Sequence, residues 1–126
     1  MVMTRRSFAA AATLLPLASG LPAQQTNPAT KSIDEFFRDF TAEWVRGNPN
    51  LAASARYFTG DEQERLERQL TPETEAYKRS RIQLARRGLT ELARFGRSQL
   101  TELQRVSADL MHWQLDTVVR EEPYLV

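Results

Sequence analysis

The sequence predicts an all-α fold, in which short N-terminal helices precede an antiparallel helical hairpin. Two long runs, residues 72–95 and 101–122, repeat apolar side chains at steps of three and four, the period of a helix. Capping signals flank the helical segments, and no useful length of chain alternates with the period of a strand. Only residues 96–100 join the two runs, so we expect the second helix to fold back along the first.

The first 23 residues have the features of an export signal and are left out of the fold. Thr4-Arg5-Arg6-Ser7-Phe8 resembles the twin-arginine signature, and an Ala-rich apolar stretch follows up to a small-residue cleavage site at Ala23. That stretch is too short and too weakly apolar for a membrane span, and the absence of Cys excludes a lipoprotein anchor. We therefore expect the twin-arginine export machinery as a partner, a periplasmic or secreted location and no stable membrane anchor. A Sec-type signal is the alternative.

Residues 24–31 are polar and contain Pro28, which predicts a linker ahead of an α-helical domain over residues 32–126. Ser32 and Glu35 form a capping box for a helix over residues 33–46. Its expected aromatic and apolar face consists of Phe36, Phe37, Phe40, Trp44 and Val45.

Two shorter helices are expected next. Asn48 can cap and Pro49 can open a helix that extends to residue 58. Thr59 can cap the following helix, over residues 62–70.

The first hairpin helix is expected to begin with Thr71 as cap and Pro72 at the first helical position. Gly96 is the expected left-handed stop. The predicted buried side of this helix consists of Tyr77, Ile82, Leu84, Ala85, Leu89, Leu92, Ala93 and Phe95.

The second hairpin helix begins with a capping box of Thr101 and Gln104 and is expected to end before Pro123. Its predicted buried side consists of Leu103, Val106, Leu110, Met111, Trp113, Leu115 and Val118. These faces together present more apolar surface than about 100 mature residues can bury. We therefore expect an incomplete domain, the N-terminal fragment of a larger protein.

Composition excludes several classes of function. The chain has 126 residues, no Cys, one His and five Gly, which removes disulfides, thiolate metal sites and Cys nucleophiles. Its 17 basic and 16 acidic residues leave a formal net charge of +1, so no general attraction to nucleic acid or membranes is indicated.

One group of side chains has the composition of a metal site. Asp109, His112 and Asp116 share one side of the second hairpin helix at positions i, i+3 and i+7. The same stripe continues with charges of alternating sign at Glu102, Arg105 and Arg120, which is the pattern of a solvated, salt-bridged helix face. We favour that second interpretation, and we predict no catalytic, cofactor-binding or metal-binding residue in the chain.

Two other sets of residues also have a structural interpretation that we prefer. The first hairpin helix and its end are basic, which favours charge pairing within the protein or between subunits over a nucleic-acid partner in an exported chain. Those residues are Lys78, Arg79, Arg81, Arg86, Arg87, Arg94 and Arg97. Aromatic residues at helical spacing favour a core over a ligand groove, and they include Trp44, Trp113, Phe36, Phe40, Tyr57 and Phe58.

Four phrases spread over residues 33–126 resemble the N-terminal portion of the bacterial domain-of-unknown-function 885 family. They are Trp44-Val45-Arg46-Gly47-Asn48-Pro49, Ala55-Arg56-Tyr57-Phe58-Thr59-Gly60, Ala85-Arg86-Arg87-Gly88-Leu89 and Ser107-Ala108-Asp109-Leu110-Met111-His112-Trp113-Gln114-Leu115. The resemblance implies a long, helical, exported protein similar to zinc metallopeptidases. It also implies a His-Glu-x-x-His-like helix far toward the C-terminus, which this sequence lacks, so no site residue carries over.

Two functional hypotheses follow. In the first, the chain is the scaffolding N-terminal part of a metallopeptidase-like hydrolase and packs beside a missing C-terminal catalytic domain. In the second, it is a stand-alone extracytoplasmic helical module that completes its core by self-association. In both hypotheses the chain acts by packing against another protein surface, since its sequence shows no nucleophile next to a base.

Overall fold

The computed structural model describes residues 31–125, and within them it confirms the all-α prediction, with five α-helices and no strand. The helices are α1 (Ile33–Arg46), α2 (Pro49–Ala55), α3 (Gly60–Glu67), α4 (Glu75–Leu92) and α5 (Glu102–Arg120). Single 3₁₀ turns follow α4 and α5, at Arg97–Gln99 and Glu122–Tyr124. The predicted signal peptide and all but the last residue of the predicted linker lie outside the described part of the chain.

Helix α1 has the predicted bounds because both halves of its capping box form. The backbone N–H of Glu35 donates to Ser32 Oγ at 3.2 Å, and the backbone N–H of Ser32 donates to Glu35 Oε2 at 2.9 Å. The aromatic face turns inward as predicted, with Phe36 and Phe40 buried. This face forms one wall of the main core.

Helices α2 and α3 form with different bounds from those predicted. Asn48 caps α2 and Pro49 opens it as expected, but the helix ends at Ala55 because Arg56 takes a left-handed conformation with φ 47°. Helix α3 begins two residues earlier and ends three residues earlier than predicted, and Thr59 makes no side-chain capping bond. These two helices are short, so their ends depend on local turns more than on periodicity.

The predicted start of the first hairpin helix was wrong by three residues. Thr74 caps α4, with its Oγ1 accepting from the backbone N–H of Tyr77 at 3.1 Å, and Glu75 is the first helical residue. Pro72 lies outside the helix, and Thr71 has another role. Its hydroxyl donates to Asn48 Oδ1 at 2.6 Å, so the candidate cap of α4 instead fastens the start of α2.

The predicted end of this helix was also wrong. Helix α4 ends at Leu92, with Ala93 as a right-handed C-cap. Gly96 has φ −69°, so it is not the left-handed stop that was expected, and it precedes the 3₁₀ turn between the hairpin helices. Helix α4 therefore ends in a tighter turn with hydrogen bonds between residues three apart, and no left-handed glycine terminates it.

Helices α4 and α5 form the predicted antiparallel hairpin. The capping box of Thr101 and Gln104 is present at the start of α5. Arg97, just after α4, pairs with Asp109, whereas Arg86, inside α4, pairs with Glu122 beyond the end of α5. The arginine that comes earlier in the chain pairs with the carboxylate that comes later, as antiparallel helices require.

The main core lies where α1 meets the hairpin, and its buried residues are Ile33, Phe36, Phe40, Ala85, Leu92, Ala108 and Leu115. Gly88 allows the close approach of these elements. A Cβ on Gly88 would lie 2.5 Å from Phe40 Cζ and 2.8 Å from Leu115 Cδ1, far inside contact distance. A second, smaller core joins Val45, Ala52 and Leu66.

The predicted buried side of α5 was only partly right. Met111 and Val118 pack against the main core, and Leu115 belongs to it, as expected. Four other residues of the predicted set are exposed, and they are Leu103, Val106, Leu110 and Trp113. The physical reason is that α5 carries two apolar sides, and α4 and α1 cover only the one that contains Ala108.

Candidate interaction surface

The exposed apolar residues of α5 form a continuous stripe along one side of the helix. The exposed fractions of these side chains are 76% for Leu103, 60% for Val106, 54% for Leu110 and 65% for Trp113. None of the four packs against the main core. We call these four residues the α5 stripe.

The spacing of the α5 stripe explains its shape. Its residues follow at steps of three, four and three, and such steps keep side chains on one side of an α-helix. Met111 and Leu115, between and beyond these positions, lie on the side that faces the core. The stripe has the 3–4 pattern of a coiled-coil seam, whose residues are normally covered by another helix.

One edge of the stripe is acidic, and arginines of the same chain neutralise most of it. Arg97 forms a two-pronged ion pair with Asp109, and the hydrogen bond from Arg97 holds the pKa of the Asp109 carboxyl below its ordinary value. About two turns further along the helix, Arg120 Nε donates to Asp116 Oδ2 at 2.7 Å. The opposite edge contains the uncharged Ser107 and Gln114.

These ion pairs also bear on the candidate metal group of Asp109, His112 and Asp116. The structure pairs two of its three members with arginines, which is the arrangement of a salt-bridged helix face. Among residues 31–125, no group of three His, Asp or Glu side chains is placed to hold a metal ion. The stripe of charges therefore has a structural explanation that needs no metal.

The basic residues of α4 and its end are largely paired inside the chain. Arg79 contacts Glu75 at 2.6 Å, Arg86 pairs with Glu122 and Arg97 with Asp109. Arg87 reaches across to Glu43 on α1. Pairing of this kind links α4 to α1 and α5, in agreement with the intramolecular interpretation of the basic helix.

Arg81 contributes in a way that the sequence pattern did not indicate. Its guanidinium lies over the indole of Trp44, 3.9 Å from the ring centroid, and donates to the backbone carbonyl of Trp44 at 2.8 Å. The site is close to Gly47, where an added Cβ would meet Arg81 Nη1 at 2.5 Å. Burial lowers the pKa of this guanidinium, which places a positive charge on the carbonyl of Trp44 in the last turn of α1.

Gln63 is the buried polar residue of the described chain, and sequence reasoning did not single it out. Its Nε2 donates to the carbonyl of Ala52 at 3.0 Å, and its Oε1 accepts from the backbone N–H of Phe58 at 3.0 Å. The side chain therefore satisfies backbone groups where α2 ends and α3 begins. A Gln within a charged run gives no sequence signal that separates this role from simple solvation.

The expected aromatic core is present except for two members. Phe36 and Phe40 are buried, and Trp44 packs against them from a half-buried position. Tyr57 is 40% exposed at the edge of the small core, and Trp113 belongs to the exposed stripe. An open apolar groove of about 350 Å³ lies between α1, α2 and α5, and Trp44, Leu51, Met111 and Val118 contribute to its walls.

Comparisons with known proteins identified no relative of this chain. No protein-family model, no curated protein and no solved structure matches the chain. The resemblance to the N-terminal part of the metallopeptidase-like family therefore stays a prediction. Within residues 31–125, none of the helices combines the length and the apolar character that crossing a membrane requires.

Proposed function

We propose that residues 31–125 form a packing module of an exported protein, which acts by binding a protein surface through the α5 stripe. The single observation that carries this proposal is the exposure of four large apolar residues in a row, each at least 54% exposed. Contiguous apolar patches of a few hundred Å² on a protein surface are typical of interaction sites.

Burial of the stripe would supply the driving force. Removing apolar surface from water contributes about 25 cal/mol per Å², and an exposed Trp and two exposed Leu offer most of the area here. Leu115 and the other core-facing residues of α5 lie on a different side of the helix, so covering the stripe does not require them to move. The module can therefore keep its fold while its stripe is covered.

The charge distribution supports a protein partner over nucleic acid. Nucleic-acid binding needs cations available to phosphates. Arg86, Arg87 and Arg97 instead contact carboxylates of the same chain.

Two forms of the proposal correspond to the two sequence hypotheses. In the leading form, the module is exported by the twin-arginine route to the periplasm or medium and packs beside a metallopeptidase-like catalytic region, as the family resemblance implies. In the alternative form, the module works alone and associates with itself. The exposed stripe supports both, because both require an apolar surface that the chain does not cover.

Site-specific photo-cross-linking in the exporting cell tests the proposal. A photoreactive p-benzoylphenylalanine replaces Leu110 in the stripe or, as the control, His112 on the polar side of the same helix. We expect covalent products from position 110 and few from position 112. An unreactive position 110 in folded, exported protein would overturn the proposed function.

The export step has its own test. Replacing both Arg5 and Arg6 with Lys should block export of the precursor, because the twin-arginine machinery reads the adjacent pair. Unchanged export of the double variant would replace this route with a Sec-type route and leave the packing function untouched.

A further inference from the structure

We propose that the occupant of the α5 stripe is a second copy of the same chain, with the two α5 helices antiparallel about a twofold axis near Ala108. The inference rests on the proposed function and names the partner of that surface. It is carried by three properties of the stripe: its spacing, its area and the neutralisation of its acidic edge.

The spacing makes the stripe complementary to itself. Steps of three, four and three read the same from either end, so a reversed copy presents its residues at matching heights. With the axis near Ala108, Leu103 lies opposite Trp113 of the second copy, and Val106 lies opposite Leu110. Each layer then sets a larger side chain against a smaller one.

The area fits a pair of copies. One stripe amounts to a few hundred Å², which is within the range that a monomer can expose. Two stripes and their edges reach about 1,000 Å², which is near the lower limit for a specific interface. We therefore expect a dimer of modest affinity whose population depends on protein concentration.

The acidic edge does not oppose this arrangement. In the antiparallel pair, Asp109 lies close to the axis and so approaches Asp109 of the second copy. Each carboxylate is already held by Arg97, and Asp116 is held by Arg120. The neutral edge at Ser107 and Gln114 meets its own equivalent without charge.

Sedimentation velocity over a range of concentrations tests the dimer, with circular dichroism as the measure of folding. We expect Leu110→Gln to weaken self-association at least about ten-fold, as for a residue at the centre of an interface. His112→Gln introduces the same side chain two residues away on the polar side and should leave association unchanged. A wild-type chain that stays monomeric at all concentrations, or equal effects of both variants, would overturn the proposal.

Single cysteines test the antiparallel register, since the chain has no Cys of its own. Ser107→Cys lies beside the axis, so the two thiols are only about 3 Å apart along the helix direction and should cross-link. Gln114→Cys places them about 18 Å apart, from a rise of 1.5 Å per residue, and should not cross-link. Equal cross-linking of both variants would indicate parallel helices and contradict the proposal.

The outcomes separate this inference from the proposed function. If the photo-cross-linked product at position 110 is a dimer of this chain, both stand. If the product contains a different protein and the purified chain is monomeric, the packing function stands and the second copy is excluded. If position 110 gives no product, the packing function itself fails.

Discussion

Leu115 and Trp113 lie two residues apart on α5, yet Leu115 is 4% exposed and Trp113 is 65% exposed. Two residues correspond to a rotation of about 200° around a helix, which sends the two side chains to opposite sides. Leu115 packs with Phe40 and Ala85 in the main core. The larger apolar side chain of the pair is therefore the one left outside.

Alanine substitutions at these two positions should differ greatly in their effect on stability. We expect Leu115→Ala to lower the free energy of unfolding by about 2–5 kcal/mol, because it leaves a cavity in the main core. Trp113→Ala should change it by less than about 1 kcal/mol at low protein concentration, similar to His112→Ala. Urea unfolding of the three variants measures the difference. A large effect of Trp113→Ala in the dilute chain would show that Trp113 is buried in the core.

Gly88→Ala should destabilise the protein although it lies inside a helix. Alanine in place of glycine ordinarily stabilises a helix by about 0.5–1 kcal/mol. At this position the new Cβ would collide with the buried ring of Phe40 and with Leu115, and overpacking of this kind costs about 1–3 kcal/mol. Thermal unfolding measures the sign of the change.

The matched control for that variant is Gln83→Ala, at an exposed position of the same helix. It should be neutral or slightly stabilising, as alanine favours helix formation. A stabilising effect of Gly88→Ala as well would contradict the close packing of α4 against α1 and α5.

Gln63→Met should destabilise the junction of α2 and α3. The substitution preserves approximate volume and length but leaves the N–H of Phe58 without its partner, which costs about 1–3 kcal/mol. The carbonyl of Ala52 loses the bond from Gln63 but still accepts from the N–H of Tyr57. Gln69→Met, at an exposed position just after α3, is the control and should have little effect. Equal stability of the two variants would mean that the N–H of Phe58 does not need Gln63 as its partner.

The Asp109 carboxyl should titrate below its ordinary pKa of 3.8, because Arg97 donates hydrogen bonds to its charged form. Because the pKa is lower in the folded state than in the unfolded state, the ionised carboxylate stabilises the fold at pH values above the unfolded-state pKa. This contribution disappears as the pH falls through the folded-state pKa. Arg97→Gln should therefore raise the pKa of Asp109 and reduce the loss of stability on acidification below about pH 4. NMR titration of the side-chain carboxyl measures the shift.

Arg94→Gln controls for the loss of one positive charge in that experiment, since it removes an arginine near the same end of the hairpin. It should leave the titration of Asp109 nearly unchanged, because exposed charges without direct contact are screened by salt. A shift as large as that of Arg97→Gln would assign the effect to net charge instead of the ion pair.

The parts of the fold that sequence predicts best are those fixed by local chemistry. The capping boxes at Ser32 and Thr101 satisfy backbone groups within three residues, so both starts are readable from the sequence. The predicted start of α4 was wrong because the hydroxyl of Thr71 bonds to Asn48, a partner 23 residues away that no local pattern reveals. Thr74 caps the helix instead, and the sequence analysis did not consider it.

The orientation of α5 could not be predicted for a related reason. Its exposed side contains Leu103, Leu110 and Trp113, which are more apolar than Ala108 on the buried side. The buried side also has large apolar residues such as Leu115, so hydrophobic periodicity does not separate the two apolar sides of α5. Only packing against α1 and α4 decides which side is covered. The contact between Arg81 and Trp44 could not be predicted either, because the two residues are 37 positions apart in the sequence.

The most direct test of the account is the accessibility of the Trp113 indole. Trp44→Phe leaves Trp113 as the sole tryptophan of a chain that has two, so its fluorescence reports on this position alone. In the dilute, folded chain we expect iodide to quench Trp113 efficiently, because its side chain lies outside the core. Shielding from iodide at every concentration, lost only on unfolding, would place Trp113 in the core and contradict the α5 stripe.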